Sequence, residues 1–216
     1  KFYISTLLLI VSIILFTCNP SDTTIDQTST DQTLFKLLPP EKTNISFTNK
    51  IVEGLNTNVL MYEYFYNGAG VAVGDLNNDG WEDLVFTSNM EDNVLYLNKG
   101  NLEFEEVAGI AGIKGRPGPW KTGITMADVN GDGLLDLYVC YSGKMAPQKL
   151  INQLFINQGI AGDGIPRFVE RTRQYGLEFP TNTTHAVFFD YDQDGDLDLF
   201  ILNHHPDSLP KLNEED

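Results

Sequence analysis

The chain has 216 residues, enough for one substantial domain, and 30 acidic against 14 basic residues give a formal net charge of −16. Such a surface repels a phosphate backbone, which argues against nucleic acid as a partner. Two cysteines, Cys18 and Cys140, do not make a disulfide framework.

The first element is Leu7–Phe16, LLLIVSIILF, an apolar stretch interrupted only by Ser12. It is too short for a stable membrane span and suits the apolar region of a signal peptide. It leads into Leu15-Phe16-Thr17-Cys18, which resembles a bacterial lipobox. In such signals the cysteine is lipidated and becomes the mature N-terminus, so Cys18 is the expected lipidation site. Thr17 departs from the small residue usual before that cysteine. The alternative is an ordinary signal peptide with an incidental cysteine. The next stretch, NPSDTTIDQTSTDQT, is polar and almost without apolar side chains, so it cannot repay its ordering entropy. The expected organisation is a signal peptide over 1–18, a flexible tether over 19–44 and repeats over 45–216.

Tyr62, Tyr64, Phe65 and Tyr66 form an aromatic cluster expected to supply an outer strand and core. Then a unit repeats. A short apolar strand (GVAVG from Gly70, GITMA from Gly123, HAVFF from His185) leads into an acidic loop, followed by an apolar run (LVFTS, LYVCYS, LFILN). After the first two copies come NVLYLN (from Asn93) and NQLFIN (from Asn152), then LEFEEVAGIAGI (from Leu102) and PRFVERTRQYGL (from Pro166). Apolar and aromatic runs separated by Gly, Asn and Asp turns read as strands. The loops begin at 75, 128 and 190, and spacings of 53 and 62 residues point to propellers or arrays. The fold class is therefore all-β, with β-propeller blades of four antiparallel strands: two nearly complete blades plus part of a third.

The loops carry the chemistry. DLNNDGWED, DVNGDGLLD and DYDQDGDLD place a carboxylate or amide at positions 1, 3 and 5, Gly at 6 and Asp at 9. Alternate oxygens ahead of a Gly turn suit calcium, a hard cation that takes about six to eight oxygen ligands. The expected ligands are Asp75, Asn77, Asp79 and Asp83 with the Trp81 carbonyl; Asp128, Asn130, Asp132 and Asp136 with the Leu134 carbonyl; and Asp190, Asp192, Asp194 and Asp198 with the Asp196 carbonyl. Three bound ions would leave a net charge of roughly −10. An EF-hand requires Glu at position 12 and flanking helices; Phe86, Val139 and Ile201 stand there instead. Metal-free Asx-rich turns are the alternative, and three matching copies argue against it.

GVAVGDLNNDGWEDLVF, GITMADVNGDGLLDLYV and HAVFFDYDQDGDLDLFI resemble the FG-GAP/VCBS repeats of integrin-type β-propellers. Longer stretches, among them NVLYLNKGNLEFEEVAGIAGI, resemble bacterial lipoproteins of the ASPIC/UnbV group, over roughly residues 45–205. The resemblance implies a calcium-bearing propeller that continues in further blades, often followed by a C-terminal domain. Of the remaining residues, Cys140 reads as core, Trp120-Lys121 as an inter-blade linker or an exposed aromatic–cation contact, and His204-His205 as a loop or blade-edge pair. No nucleophile–base set or phosphate loop stands out, so no enzyme is expected. The expected function is a calcium-stabilised cell-surface module for binding or adhesion, with a polysaccharide or surface protein as ligand. The expected location is the bacterial envelope, on the membrane through the lipid anchor only. The alternatives are the propeller part of a secreted carbohydrate-active or other enzyme, and a scaffold of an outer-membrane uptake system.

Overall fold

A computed structural model describes residues 34–118 and 120–205; the expected signal peptide, Cys18 and most of the tether lie outside the described residues. The fold is all-β. The first blade holds β1 (Val71–Gly74), β2 (Asp83–Phe86), β3 (Val94–Asn98) and β4 (Phe104–Glu106). The second holds β5 (Lys121–Ala127), β6 (Asp136–Tyr141), β7 (Gln153–Ile160) and β8 (Pro166–Glu170). A two-stranded sheet of β9 (Thr183–Phe189) and β10 (Asp198–Asn203) starts the third. Both four-stranded sheets run in chain order with every neighbour antiparallel, the up-and-down meander of a propeller blade. Each acidic loop closes the same hairpin in the same register: Gly74 pairs with Asp83, Ala127 with Asp136 and Phe189 with Asp198.

The core lies between blades. Leu76, Val85, Leu95 and Leu97 of the first blade pack with Leu137, Val139, Tyr141 and Phe155 of the second. Tyr138, Cys140, Leu154 and Ile156 turn the other way and pack with Ala186, Phe188 and Leu199. This explains why β6 reads as the unbroken run DLYVCY. Successive side chains point to opposite faces, and here both faces are covered. Cys140 is one of these core residues, and burial pushes its thiol up to about 12, so it is unreactive.

Where blades meet, their first strands approach closely. A Cβ on Gly70 would lie 2.8 Å from the Ile124 nitrogen, and one on Gly123 2.5 Å from the Thr184 carbonyl oxygen. Both glycines stand five residues before the first Asp of their loop, where the third copy has His185.

Two expected strands differ. The segment from Leu102 to Ile113 extends only through β4 and then makes a single helical turn, α2 (Ala108–Ala111), closed by Gly112 at φ 85°. An earlier turn, α1 (Pro40–Thr43), lies in the last residues assigned to the tether. The Glu106 carboxylate accepts the Ala108 N–H (2.9 Å) and turns the chain out of the sheet; Glu170 does the same for Thr172 (2.8 Å). The turn brings Ala108, Ala111 and Ile113 into the inter-blade core. The aromatic segment 61–66 forms turns and no strand. Its Tyr62 and Phe65 bury against Trp120, with ring centroids 5.7 and 5.0 Å away, so Trp120 packs that segment onto the start of the second blade and is not an exposed contact.

Candidate metal centre

All three acidic loops adopt one backbone. Gly80, Gly133 and Gly195 at position 6 have φ between 84° and 96°, the left-handed region that glycine enters without cost. Position 4 is left-handed too, at Asn78 (54°), Gly131 (72°) and Gln193 (64°). The sequence offered no common signal at position 4, since Asn, Gly and Gln share no pattern beyond tolerance of a turn.

Side-chain oxygens hold this backbone in the same way each time. Position 1 accepts the N–H of the position-6 glycine: Asp75 from Gly80 (2.8 Å), Asp128 from Gly133 (2.8 Å) and Asp190 from Gly195 (3.2 Å). Position 3 accepts the N–H of position 5: Asn77 from Asp79 (3.3 Å), Asn130 from Asp132 (3.0 Å) and Asp192 from Asp194 (3.3 Å). Position 5 accepts the N–H of position 7: Asp79 from Trp81 (2.9 Å), Asp132 from Leu134 (2.9 Å) and Asp194 from Asp196 (3.1 Å). The side chains expected as ligands at positions 1, 3 and 5 thus fold back onto their own loop in all three copies. In the third loop, carboxylate oxygens of Asp190, Asp192 and Asp194 all lie within 4.8 Å of one another. Like charges so close repel, and a cation relieves that repulsion. In the first two loops an amide replaces the middle carboxylate, and it donates to the next Asp: Asn77 to Asp79 (2.8 Å) and Asn130 to Asp132 (2.9 Å).

Position 9 has a second task that the sequence did not disclose. Asp83, Asp136 and Asp198 each accept the N–H of position 2, from Leu76 (2.9 Å), Val129 (3.0 Å) and Tyr191 (2.9 Å). In the complete blades the other oxygen accepts a backbone N–H of the third strand: Asp83 from Asn98 (2.9 Å) and Asp136 from Asn157 (2.8 Å). Asp83 and Asp136 are buried, at 0% and 1% exposure, whereas Asp198 is exposed. These two carboxylates clamp loop to blade. Burial pushes the Asp83 carboxyl up to about 6 and raises Asp136, against the pull of their backbone donors. Each accepting oxygen retains a second lone pair, so clamping leaves room for a cation. All the candidate donors are oxygen atoms, with three or four carboxylates per loop. That set fits calcium and contains no soft ligand for a thiophilic metal.

Two of these loops fall within a match to a known family. Residues 75–139 match the FG-GAP-like repeat. The matched span runs from the first Asp of the first loop to the middle of β6, so the repeat takes in two loops and most of the first blade. Three curated relatives are cartilage acidic protein 1 of Xenopus tropicalis (30% identical over 145 residues), of Mus musculus (29% over 137) and of Homo sapiens (26% over 140). The alignments cover 63–64% of this chain and 20% of each relative, so the chain spans about a fifth of the length of the curated relatives it matches.

At the strand ends opposite the loops lies a polar network. Tyr62 Oη is 2.8 Å from Ser142 Oγ, which lies 3.2 Å from His204 Nε2 and 3.2 Å from Asn182 Oδ1. Ser142 is 0% exposed, so this serine–histidine contact presents no nucleophile to a substrate. Beside it Tyr62, Tyr64 and Trp120 join Gly70, just ahead of β1, and Gly123 and His185 of β5 and β9 around a cavity of about 260 Å³.

Proposed function

We propose that the chain is part of a calcium-stabilised β-propeller that serves binding or adhesion at a cell surface. The observation that carries the calcium reading is the threefold recurrence of one loop geometry. Oxygens at positions 1, 3 and 5 turn inward around backbone N–H groups, and in the third loop three carboxylates converge. Calcium would be held by Asp75, Asn77, Asp79 and Asp83; by Asp128, Asn130, Asp132 and Asp136; and by Asp190, Asp192, Asp194 and Asp198, with the position-7 carbonyls. It would supply charge neutralisation and fix the hairpins, a structural role. The match to the FG-GAP-like repeat supports a propeller used for ligand binding. The cavity among the first strands, walled by Tyr62, Tyr64 and His185, supports a polar or aromatic-stacking ligand such as a polysaccharide or an extended protein segment. Export and anchoring through Cys18 complete the proposal, on the strength of the Leu7–Phe16 run and the Thr17-Cys18 junction.

Two experiments test this reading. Calorimetric unfolding of the full chain in a chelator and in millimolar calcium should give distinct curves, with the melting temperature rising with calcium concentration. Superposed curves would remove the calcium reading. Membrane partition of the expressed precursor should be lost in Cys18→Ser; an unmodified mature N-terminus elsewhere, found by mass spectrometry, would remove the anchor.

A further inference from the structure

Three consecutive hydrogen bonds join the first loop to the second across the blade boundary. The Asp83 carboxylate accepts the Leu76 N–H (2.9 Å). The carbonyl of the same Leu76 accepts a side-chain N–H of Asn157 (2.9 Å). The backbone N–H of Asn157 donates to Asp136 (2.8 Å). The position-9 carboxylates of neighbouring loops are therefore connected through one leucine and one asparagine. Asn157 is 1% exposed, and its remaining polar atoms are also engaged. Its amide also donates to the Leu135 carbonyl of the second loop (3.2 Å), and its Oδ1 accepts the Gly159 N–H (3.0 Å). A rigid, fully bonded side chain transmits displacement; a solvated one would absorb it.

Asn98 occupies the same place in the first blade. Its backbone N–H donates to Asp83, its amide to the Glu82 carbonyl (3.1 Å), and its Oδ1 accepts the Gly100 N–H (2.9 Å). Asn157 repeats all three of these bonds and adds the one to Leu76. A second, exposed link runs from the Asn78 amide to the Gly133 carbonyl (3.2 Å), between the left-handed position 4 of one loop and the position-6 glycine of the next. Leu76 and Leu135 also share the inter-blade core.

We propose that Asn157 couples the first and second cation loops, so that filling either one raises the affinity of the other. This rests on the calcium reading above. A cation drawn to Asp136 fixes that carboxylate and with it Asn157. Asn157 then holds the Leu76 carbonyl and so restrains the backbone of the residue whose N–H donates to Asp83. The second ion thus meets a loop already ordered, and by reciprocity the effect is equal in both directions.

Trp81 makes the first loop readable alone. It is half-exposed at position 7, and the other tryptophan, Trp120, is buried ahead of β5, away from the loops. Terbium(III) luminescence excited at the red edge, where Trp81 absorbs and the third-loop Tyr191 does not, therefore reports the first loop in the full chain. Disabling the second loop with Asp132→Ala should raise the terbium half-saturation of the first by at least about fivefold. In an Asn157→Ala background the same Asp132→Ala change should have no further effect. A half-saturation unchanged by Asp132→Ala, or a full shift that persists without Asn157, overturns the coupling. A wild-type chain with no saturable, calcium-displaceable signal overturns the calcium reading itself. A second measurement leaves Asn157 intact. In Asp79→Ala, whose first loop is disabled, calcium binding to the second should still slow hydrogen exchange at the Leu76 amide. An unchanged Leu76 rate overturns the proposal.

Discussion

Tyr62 Oη lies 2.8 Å from Ser142 Oγ, tying the segment ahead of the first blade to the end of β6 across 80 residues of chain. With the Ser142 proton given to Asn182 Oδ1, Ser142 Oγ is an acceptor and Tyr62 Oη–H, which also lies 3.4 Å from His204 Nε2, is its donor. Tyr62→Phe removes one donor and keeps the ring packed on Trp120. Urea unfolding should then show a loss of about 1 kcal/mol, the net worth of a buried neutral hydrogen bond. Trp120→Ala should cost more, about 3–5 kcal/mol, since it empties the aromatic cluster that Phe65 and Tyr62 fill.

His204 supplies a pH test. Burial lowers its pKa below the ordinary 6.5, with Glu63 opposing, and its Nδ1 is buried without a hydrogen-bond partner. The folded state thus binds this proton less readily than the unfolded chain. Stability from His204 is complete above about 6.5, declines as pH falls below that value, and levels off beneath the lowered folded pKa. The difference in unfolding free energy between wild type and His204→Gln should accordingly shrink as pH is taken from 7.5 to 5. A difference that stays flat over this range would show that His204 titrates alike in both states.

The sequence disclosed the hairpins and loops because each is a local event. The apolar alternation, the Gly at position 6 and the oxygens at 1, 3 and 5 are all set within nine residues. It did not disclose what the blades do to one another. That Asp83 and Asp136 clamp backbone 15 and 21 residues away depends on the path of β3 and β7. The role of Asn157 as a bridge to Leu76 depends on a contact 81 residues distant. The helical turn after β4 is illegible in the sequence for a related reason. Val107 to Ile113 is apolar enough for a strand, yet Glu106 accepts the Ala108 N–H at its start and the inter-blade core draws it in.

Asp83 and Asp198 occupy the same loop position in different surroundings, and this separates clamp from ligand. Asp83 is buried and accepts two backbone N–H groups, while Asp198 is exposed and accepts the Tyr191 N–H. In chelator, Asp83→Asn should destabilise the chain by about 1.5–3 kcal/mol, because hydrogen bonds to a charged acceptor weaken and an amide N–H faces a backbone donor. Asp198→Asn in chelator should change stability by less than about 0.5 kcal/mol. Equal losses in the two variants, measured by urea unfolding, would assign both residues the same role.

The third loop should respond most to metal. It has four carboxylates at its ligand positions where the others have three and an Asn, so its attraction for a dication is greater and its empty form is the most strained by repulsion. It is also the most exposed, and Asp194 and Asp196 already perturb each other: the Asp196 N–H lowers the Asp194 carboxyl, while the Asp194 side chain raises Asp196. The position-9 carboxylates of the first two loops are buried and bonded to β3 and β7, which restrains their empty loops in part, whereas Asp198 is exposed. Hydrogen exchange in chelator should therefore rise more over 190–198 than over 75–83 or 128–136, and millimolar calcium should reverse it. At a calcium concentration about a hundred times the dissociation constant, one site bound only in the folded state adds roughly 2.7 kcal/mol. Asp194→Ala should remove about that much of the calcium-dependent gain while leaving the chelator curve nearly unchanged. A gain undiminished in Asp194→Ala would mean that the third loop, despite its charge, holds no ion.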